Sequence, residues 1–218
     1  LLVPLPPVRT RSQAFVQAVM RRLEALRAVG GEEIDFVLDG AGRLSPGDAA
    51  SLSGALERFH LLWFDEPCAL SNLAAVRKLA AENVTPLGFG REVLQAWGFQ
   101  DLLREDAIDV IRPAITLNGI TAIRKMAALA EAYYVAVAPY HDSGPVGTAA
   151  ALHLAASLPN FFIQQIPLPE AGEDRRMRSE VCSGWTETVR DGYAELPTGP
   201  GLGISVSEAA LERYQERA

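Results

Sequence analysis

Residues 34–67, "IDFVLDGAGRLSPGDAASLSGALERFHLLWFDEP", decide the architecture. An apolar run from Ile34 ends on Asp39, and a second run from Leu61 ends on Asp65 and Glu66 before Pro67. Between them, Ser45 followed by Pro46 is an N-cap with a first-turn proline, which starts a helix over 46–58. Residues 36–38 and 61–64 are continuously apolar rather than alternating, the pattern of strands covered on both faces. The stretch therefore reads as one strand, a crossover helix and the next parallel strand, each strand carrying acid to its own tip.

The same unit recurs along the chain. Apolar runs begin at 34, 61, 84 ("VTPLGF"), 107 ("AIDVIRP"), 133 ("YYVAVAP") and 160 ("NFFIQQ"), 23 to 27 residues apart. Helical patterns fall between them at 70–81, 92–104, 119–131 and 145–157, after a first helix over 11–29 with Phe15, Val19, Leu23 and Leu26 on one face and Gly30-Gly31 as its stop. "LLVPLP" at 1–6 adds a seventh run. No Gly-x-Gly-x-x-Gly turn opens a helix, so a dinucleotide-binding sheet loses its main support. The expectation is an α/β fold, a TIM-like barrel over 1–167 with its first strand upstream of this numbering, since the chain opens on Leu1 in mid-strand. Residues 168–218 form a separate C-terminal segment, turn-rich at "DGYAELPTGPGLGI".

Composition narrows the function classes. The 218 residues are 49% hydrophobic, enough for one full core, and the formal charge is -7. There is no basic run, which argues against nucleic acid and anionic membrane surfaces. No apolar run reaches the length of a membrane span. Cys68 and Cys182 lack zinc or disulfide-framework spacing, which fits a cytoplasmic protein. A small-molecule ligand is the expected partner.

In a barrel of this kind, reactive groups sit just past the C-terminal ends of the strands. Those tips carry Asp39, Asp65 with Glu66, Arg91 with Glu92, Ala114, Tyr140 with His141 and Asp142, and Gln165. Asp39, Asp65 and Arg91 are evenly spaced, 26 residues apart. With "VLDGAGR", "WFDEP", "PLGFGREVL", "IRPAITLNGITAIRKMAALAEAYYVAVAPYHDSGPVG", "NFFIQQ" and "DGYAELPTGPGLGISVSEAALERY", the chain resembles the enolase superfamily, in its mandelate racemase and sugar-acid dehydratase branch.

That resemblance implies a (β/α)7β barrel whose C-terminal tail joins a small α+β capping domain, with the N-terminal part of that domain missing from this numbering. It also implies a homo-oligomer, an acid sugar or hydroxy acid as substrate, and proton abstraction beside a carboxylate followed by dehydration or racemisation, a lyase or isomerase reaction. In the family three acids at successive tips hold Mg²⁺. Here Asp39 and Asp65 keep two of them, and the third position is Arg91. The second-strand position where many relatives place Lys reads Pro4-Leu5-Pro6, the sixth-strand Asp is Ala114, the catalytic His aligns with Tyr140 with His141 one place late, and the last acid is Gln165. Two readings of the acids stay open. Asp39 and Asp65 ligate Mg²⁺, or they pair with Arg91 and no cofactor is held. Tyr140, His141 and Arg91 are the candidate catalytic groups, Gln165 and Glu66 the candidate substrate contacts. The alternatives to a dehydratase are a non-catalytic binding or structural barrel, and metal-free catalysis through Arg91.

Overall fold

The computed structural model describes residues 1–6, 13–167, 169 and 172–215. Its main sheet is six parallel strands in the order of the chain: β1 (Leu2–Pro4), β2 (Val37–Asp39), β3 (Trp63–Asp65), β4 (Leu87–Phe89), β5 (Val110–Ile111) and β6 (Ala136–Val137). Between them run α1 (Gln13–Gly30), α2 (Pro46–Leu56), α3 (Leu73–Ala81), α4 (Gln100–Arg104) and α5 (Ile115–Glu131), and α6 (Pro145–Ala156) follows β6. A strand order that never reverses, with right-handed crossovers, puts every helix on the same face of the sheet. A doubly wound sheet would have reversed and split its helices between two faces. The first two residues of the helix expected over 11–29 lie outside the described residues.

The helix starts follow their caps. Ser45 accepts the Asp48 amide at the head of α2, and Asn72 does the same for Ala75 at the head of α3, which starts three residues later than the sequence pattern suggests. Gly119, at φ 69°, breaks α5 near its start; an α-helix cannot pass through that conformation.

Strand alternation then sorts the core. Leu38, Phe64, Leu87, Phe89, Ile111 and Val137 face the helices and join one large cluster. Val37, Trp63, Val110 and Ala138 face the other way and form a small cluster on the concave side. Two residues further along the same concave side come Asp39, Asp65 and Arg112.

The last run, "NFFIQQ", expected as a strand over 160–165, is reduced to one bridge between Val137 and Phe161. Val137 takes the Asn160 carbonyl and returns its own carbonyl to Phe162. With a neighbour on one side only, the run has no second ladder to hold it extended, and Phe161, Phe162 and Ile163 are exposed. Among the described residues this sheet is open, β1 and Phe161 forming its two margins.

Beyond it, α7 (Gly172–Val181) leads into β7 (Cys182–Ser183), which pairs antiparallel with β10 (Ser205–Val206), while β8 (Val189–Arg190) and β9 (Tyr193–Ala194) make a separate hairpin and α8 (Glu208–Tyr214) packs on α7. None of these strands joins the main sheet. Arg178 ties this segment to the head of α6: it donates to the Ser143 carbonyl at 3.0 Å and pairs with Glu187 through two bonds of 2.6 and 2.5 Å.

Candidate functional site

In-register pairing places Asp39 beside Asp65, and Asp65 beside Gly88. Two carboxylates are thus forced side by side at the strand tips. Arg91 stands between them. Its Nη1 donates to Asp39 Oδ2 at 3.2 Å, its Nη2 lies 3.0 Å from Asp39 Oδ1, and the same Nη2 pairs with Asp65 Oδ2. Burial pulls the Arg91 guanidinium towards lower pKa, but Asp65 and Asp39 outweigh it and hold the group above its ordinary value. It is a permanent cation here.

Arg91 owes its place to the strand before it. Glu66, held at φ 42°, turns its carboxylate across to β4, where Oε1 accepts the amides of Gly90 at 2.6 Å and Arg91 at 2.9 Å. Burial raises the Glu66 pKa, and the two N–H donors only partly offset this. Gly90, at φ 126°, leaves room for the Phe99 ring, which a Cβ there would meet at 2.3 Å.

A second guanidinium lies beneath the first. Arg112, 1% exposed, donates from Nε to Asp65 Oδ1 at 3.0 Å, from Nη1 to the Ala138 carbonyl at 2.8 Å and from Nη2 to Gln165 Oε1 at 2.9 Å. Trp63 Nε1 adds a further donor to Asp65 Oδ1 at 2.9 Å. Gly88 permits this, because a Cβ there would lie 2.4 Å from the Trp63 ring. Two acids and two guanidinium groups make a neutral set, and the fully buried Asp65 is shared by both arginines.

Tyr140 closes the set from above. Its ring covers Arg91 at 4.5 Å and Arg112 at 5.6 Å, and its hydroxyl donates to Asp142 Oδ2 at 2.9 Å. Burial first, and then that bond to Asp142, raises the Tyr140 pKa against the opposing effect of Arg91, so the group is a neutral phenol at pH 7. Outside this layer opens a cavity of about 780 Å³, lined by Glu66, Ser71, Arg91, Glu92, Tyr140 and Asp142 among others.

The structure therefore brings Asp39, Asp65, Glu66, Arg91, Tyr140 and Gln165 to one mouth. His141 goes elsewhere. Its Nε2 meets Thr148 Oγ1 at 2.8 Å, its Nδ1 lies 3.3 Å from Ser143 Oγ, and the residue is 1% exposed beneath the Arg178–Glu187 pair. Burial and the nearby Arg178 hold its pKa below the ordinary value. Arg112 is the member that the strand-tip reading passes over by taking Ala114 as the tip. The signal was parity: Arg112 is two residues past Val110, and Pro113 keeps it extended so the alternation runs on beyond β5.

The Mg²⁺ that the family resemblance implies does not fit this donor set. Among the described residues no group of three His, Cys, Asp or Glu side chains is arranged to hold a metal ion. The two acids that would contribute are engaged by a cation lying between them. A divalent ion about 4 Å from that guanidinium would meet a repulsion on the order of 8 kcal/mol at an effective dielectric of about 20.

Known proteins place the chain. A family described as "Enolase C-terminal domain-like" matches residues 8–210, and the chain belongs to that family. It is 32% identical over 206 residues to a D-galactonate dehydratase family member of Streptomyces bingchenggensis (strain BCW-1), covering 93% of this chain and 49% of that protein. It is 28% identical over 193 residues to a D-xylonate dehydratase of Haloferax volcanii, covering 88% and 46%. The solved mandelate racemase/muconate lactonizing enzyme-like protein from Rubrobacter xylanophilus DSM 9941 superposes with a TM-score of 0.89 at 26% identity, over 99% of this chain and 57% of that one. These relatives define the sugar-acid dehydratase branch of the enolase superfamily and fit an α/β fold of TIM-barrel type. The chain spans about half the length of the curated relatives it matches. No helix among the described residues is long and apolar enough to cross a membrane.

Proposed function

We propose that this chain is the barrel portion of a sugar-acid dehydratase relative that binds a small hydroxylated acid at its mouth without enolising it. One observation carries the reading: the polar groups at the strand tips are for the most part already spent on one another, Arg91 Nε being buried without a hydrogen-bond partner among the described residues. Asp39 and Asp65 are engaged by Arg91 and Arg112, Gln165 gives its carbonyl to Arg112, and the Tyr140 hydroxyl donates to Asp142. Proton abstraction next to a carboxylate needs a base of matched pKa and a fixed positive charge facing the developing enediolate. A phenol held protonated is no base at neutral pH, and the Arg91 charge is turned towards the protein's own acids.

In this reading the sheet is closed by a strand outside the present numbering, and residues 168–218 pack with a capping domain that shapes the mouth. The protein is cytoplasmic and oligomeric, as expected from the sequence. In this reading the ligand contacts come from the cavity wall: Glu66, Ser71 and Glu92 take sugar hydroxyls, and Arg91, which also lines it, is the cation nearest the ligand's carboxylate.

The test is a panel of acid sugars, galactonate and xylonate among them, assayed in parallel for binding by calorimetry and for turnover by loss of substrate. Binding of at least one member with no turnover above the buffer blank is expected. Turnover that disappears on Tyr140→Phe or Arg91→Ala would overturn the binding reading in favour of metal-free catalysis, and no binding across the panel would favour a purely structural barrel.

A further inference from the structure

We propose that the strand-tip acids form a cradle specific for a planar guanidinium, which Arg91 fills from within the chain at the position where the family resemblance puts a divalent metal. This goes beyond the reading of the mouth as a ligand site, and it holds or fails whatever the cavity outside takes.

The shape of the cradle is the argument. A metal ion asks for oxygen donors spread around a sphere. Here two oxygens accept along the N–H directions of the guanidinium, which lie in its plane: Asp39 Oδ2 takes Nη1 and Asp65 Oδ2 takes Nη2, while Asp39 Oδ1, bonded to the Ala41 amide, adds an ion-pair contact to Nη2. Tyr140 covers the face of that plane at 4.5 Å. Edge carboxylates with an aromatic lid match a flat, weakly hydrated cation and give a compact, strongly hydrated one too few donors. Asp65 Oδ1, which would otherwise be left over, is taken by Arg112 and Trp63. Charge agrees with shape, since the two acids are balanced by the two guanidinium groups and a divalent ion would add an excess.

Position agrees too. Glu66 fixes the Arg91 backbone through its amide, so the side chain enters the cradle from a set origin and is not a surface arginine that has folded inwards.

Truncating Arg91 should therefore leave a hollow that an alkylguanidinium in solution can occupy. The intact protein carrying Arg91→Ala is melted with millimolar methylguanidinium, and separately with methylammonium, KCl and MgCl₂ at matched ionic strength. A saturable recovery of the melting temperature with methylguanidinium alone is expected. Equal recovery with methylammonium or KCl, or a larger one with MgCl₂, would overturn the proposal. Arg91→Glu keeps the test decisive should the alanine variant fail to fold. It swaps the internal cation for a third acid, and by calorimetry it should bind Mn²⁺ at least tenfold more tightly than the unmodified protein. Equal Mn²⁺ binding by the two proteins would equally overturn it, and so would stabilisation of the unmodified protein by MgCl₂ that EDTA reverses.

Discussion

Arg112 Nε donates to Asp65 Oδ1 at 3.0 Å, and the two side chains are 2% and 0% exposed. A charge pair so far from water is a structural commitment, because either member alone would be a buried, uncompensated ion. Arg112→Met should cost roughly 3 to 5 kcal/mol of unfolding free energy. Urea melts would measure it, and a loss below about 1 kcal/mol would mean that Arg91 and Trp63 suffice for Asp65.

Gly88 is held small by its neighbour across the sheet. A methyl group there would sit 2.4 Å from Trp63 Cδ1 and 2.6 Å from Nε1, so Gly88→Ala should push the indole off Asp65. The expected penalty is about 1 to 3 kcal/mol, with a shift in the Trp63 contribution to fluorescence. An unchanged spectrum with unchanged stability would show that the indole has another place to go.

Glu66 carries a raised pKa in the folded state, so the fold binds its proton more tightly than the unfolded chain does. Stability contributed by that proton is present at low pH and is lost as pH rises from the unfolded value of 4.5 through the folded one. Glu66→Gln should remove this loss while keeping an acceptor for the Gly90 and Arg91 amides. Melting temperatures followed from pH 4 to 8 should therefore converge at acid pH and favour the variant above it. A variant that falls behind as pH rises would show that the ionised carboxylate is the better clamp.

His141 gives the opposite slope. Its folded pKa is depressed by burial and by Arg178, with Glu187 and Asp142 acting in the other direction. The contribution is complete above the ordinary value of 6.5 and is lost as pH falls towards the folded pKa. Since His141 and Thr148 lie under Arg178, acidification should loosen residues 172–215 from the head of α6 before the sheet melts. Proteolysis between pH 7.5 and 5.5 checks this: cleavage within that segment should increase on acidification, and His141→Gln should flatten the dependence.

Much of this was readable from the residues. Period and caps place most of the helices, although the one expected over 92–104 is a 3-10 turn at Ala96–Phe99 followed by the short α4, and the even spacing of Asp39, Asp65 and Arg91 brings a guanidinium to two acids. Three things were not readable, for reasons of range. "NFFIQQ" has the composition of a strand, yet extended structure also needs a partner, and composition does not say whether the second neighbour is within the chain. Tyr140, His141 and Asp142 are adjacent in sequence, but alternation sends Tyr140 over the mouth and His141 behind it, to an arginine 37 residues further on. Arg112 was hidden by its Pro113, which looks like the end of a strand although the extended path continues through it.

The hydrogen bonds that the Gly90 and Arg91 amides donate to Glu66 have one further consequence. They fix where the Arg91 side chain begins, so the positive charge is supplied to Asp39 and Asp65 at an effective concentration set by the backbone and not by the medium. A site filled from solution empties on dilution or in the presence of a competing chelator. This one is loaded as soon as the chain folds and stays so at any ionic composition that leaves the fold intact.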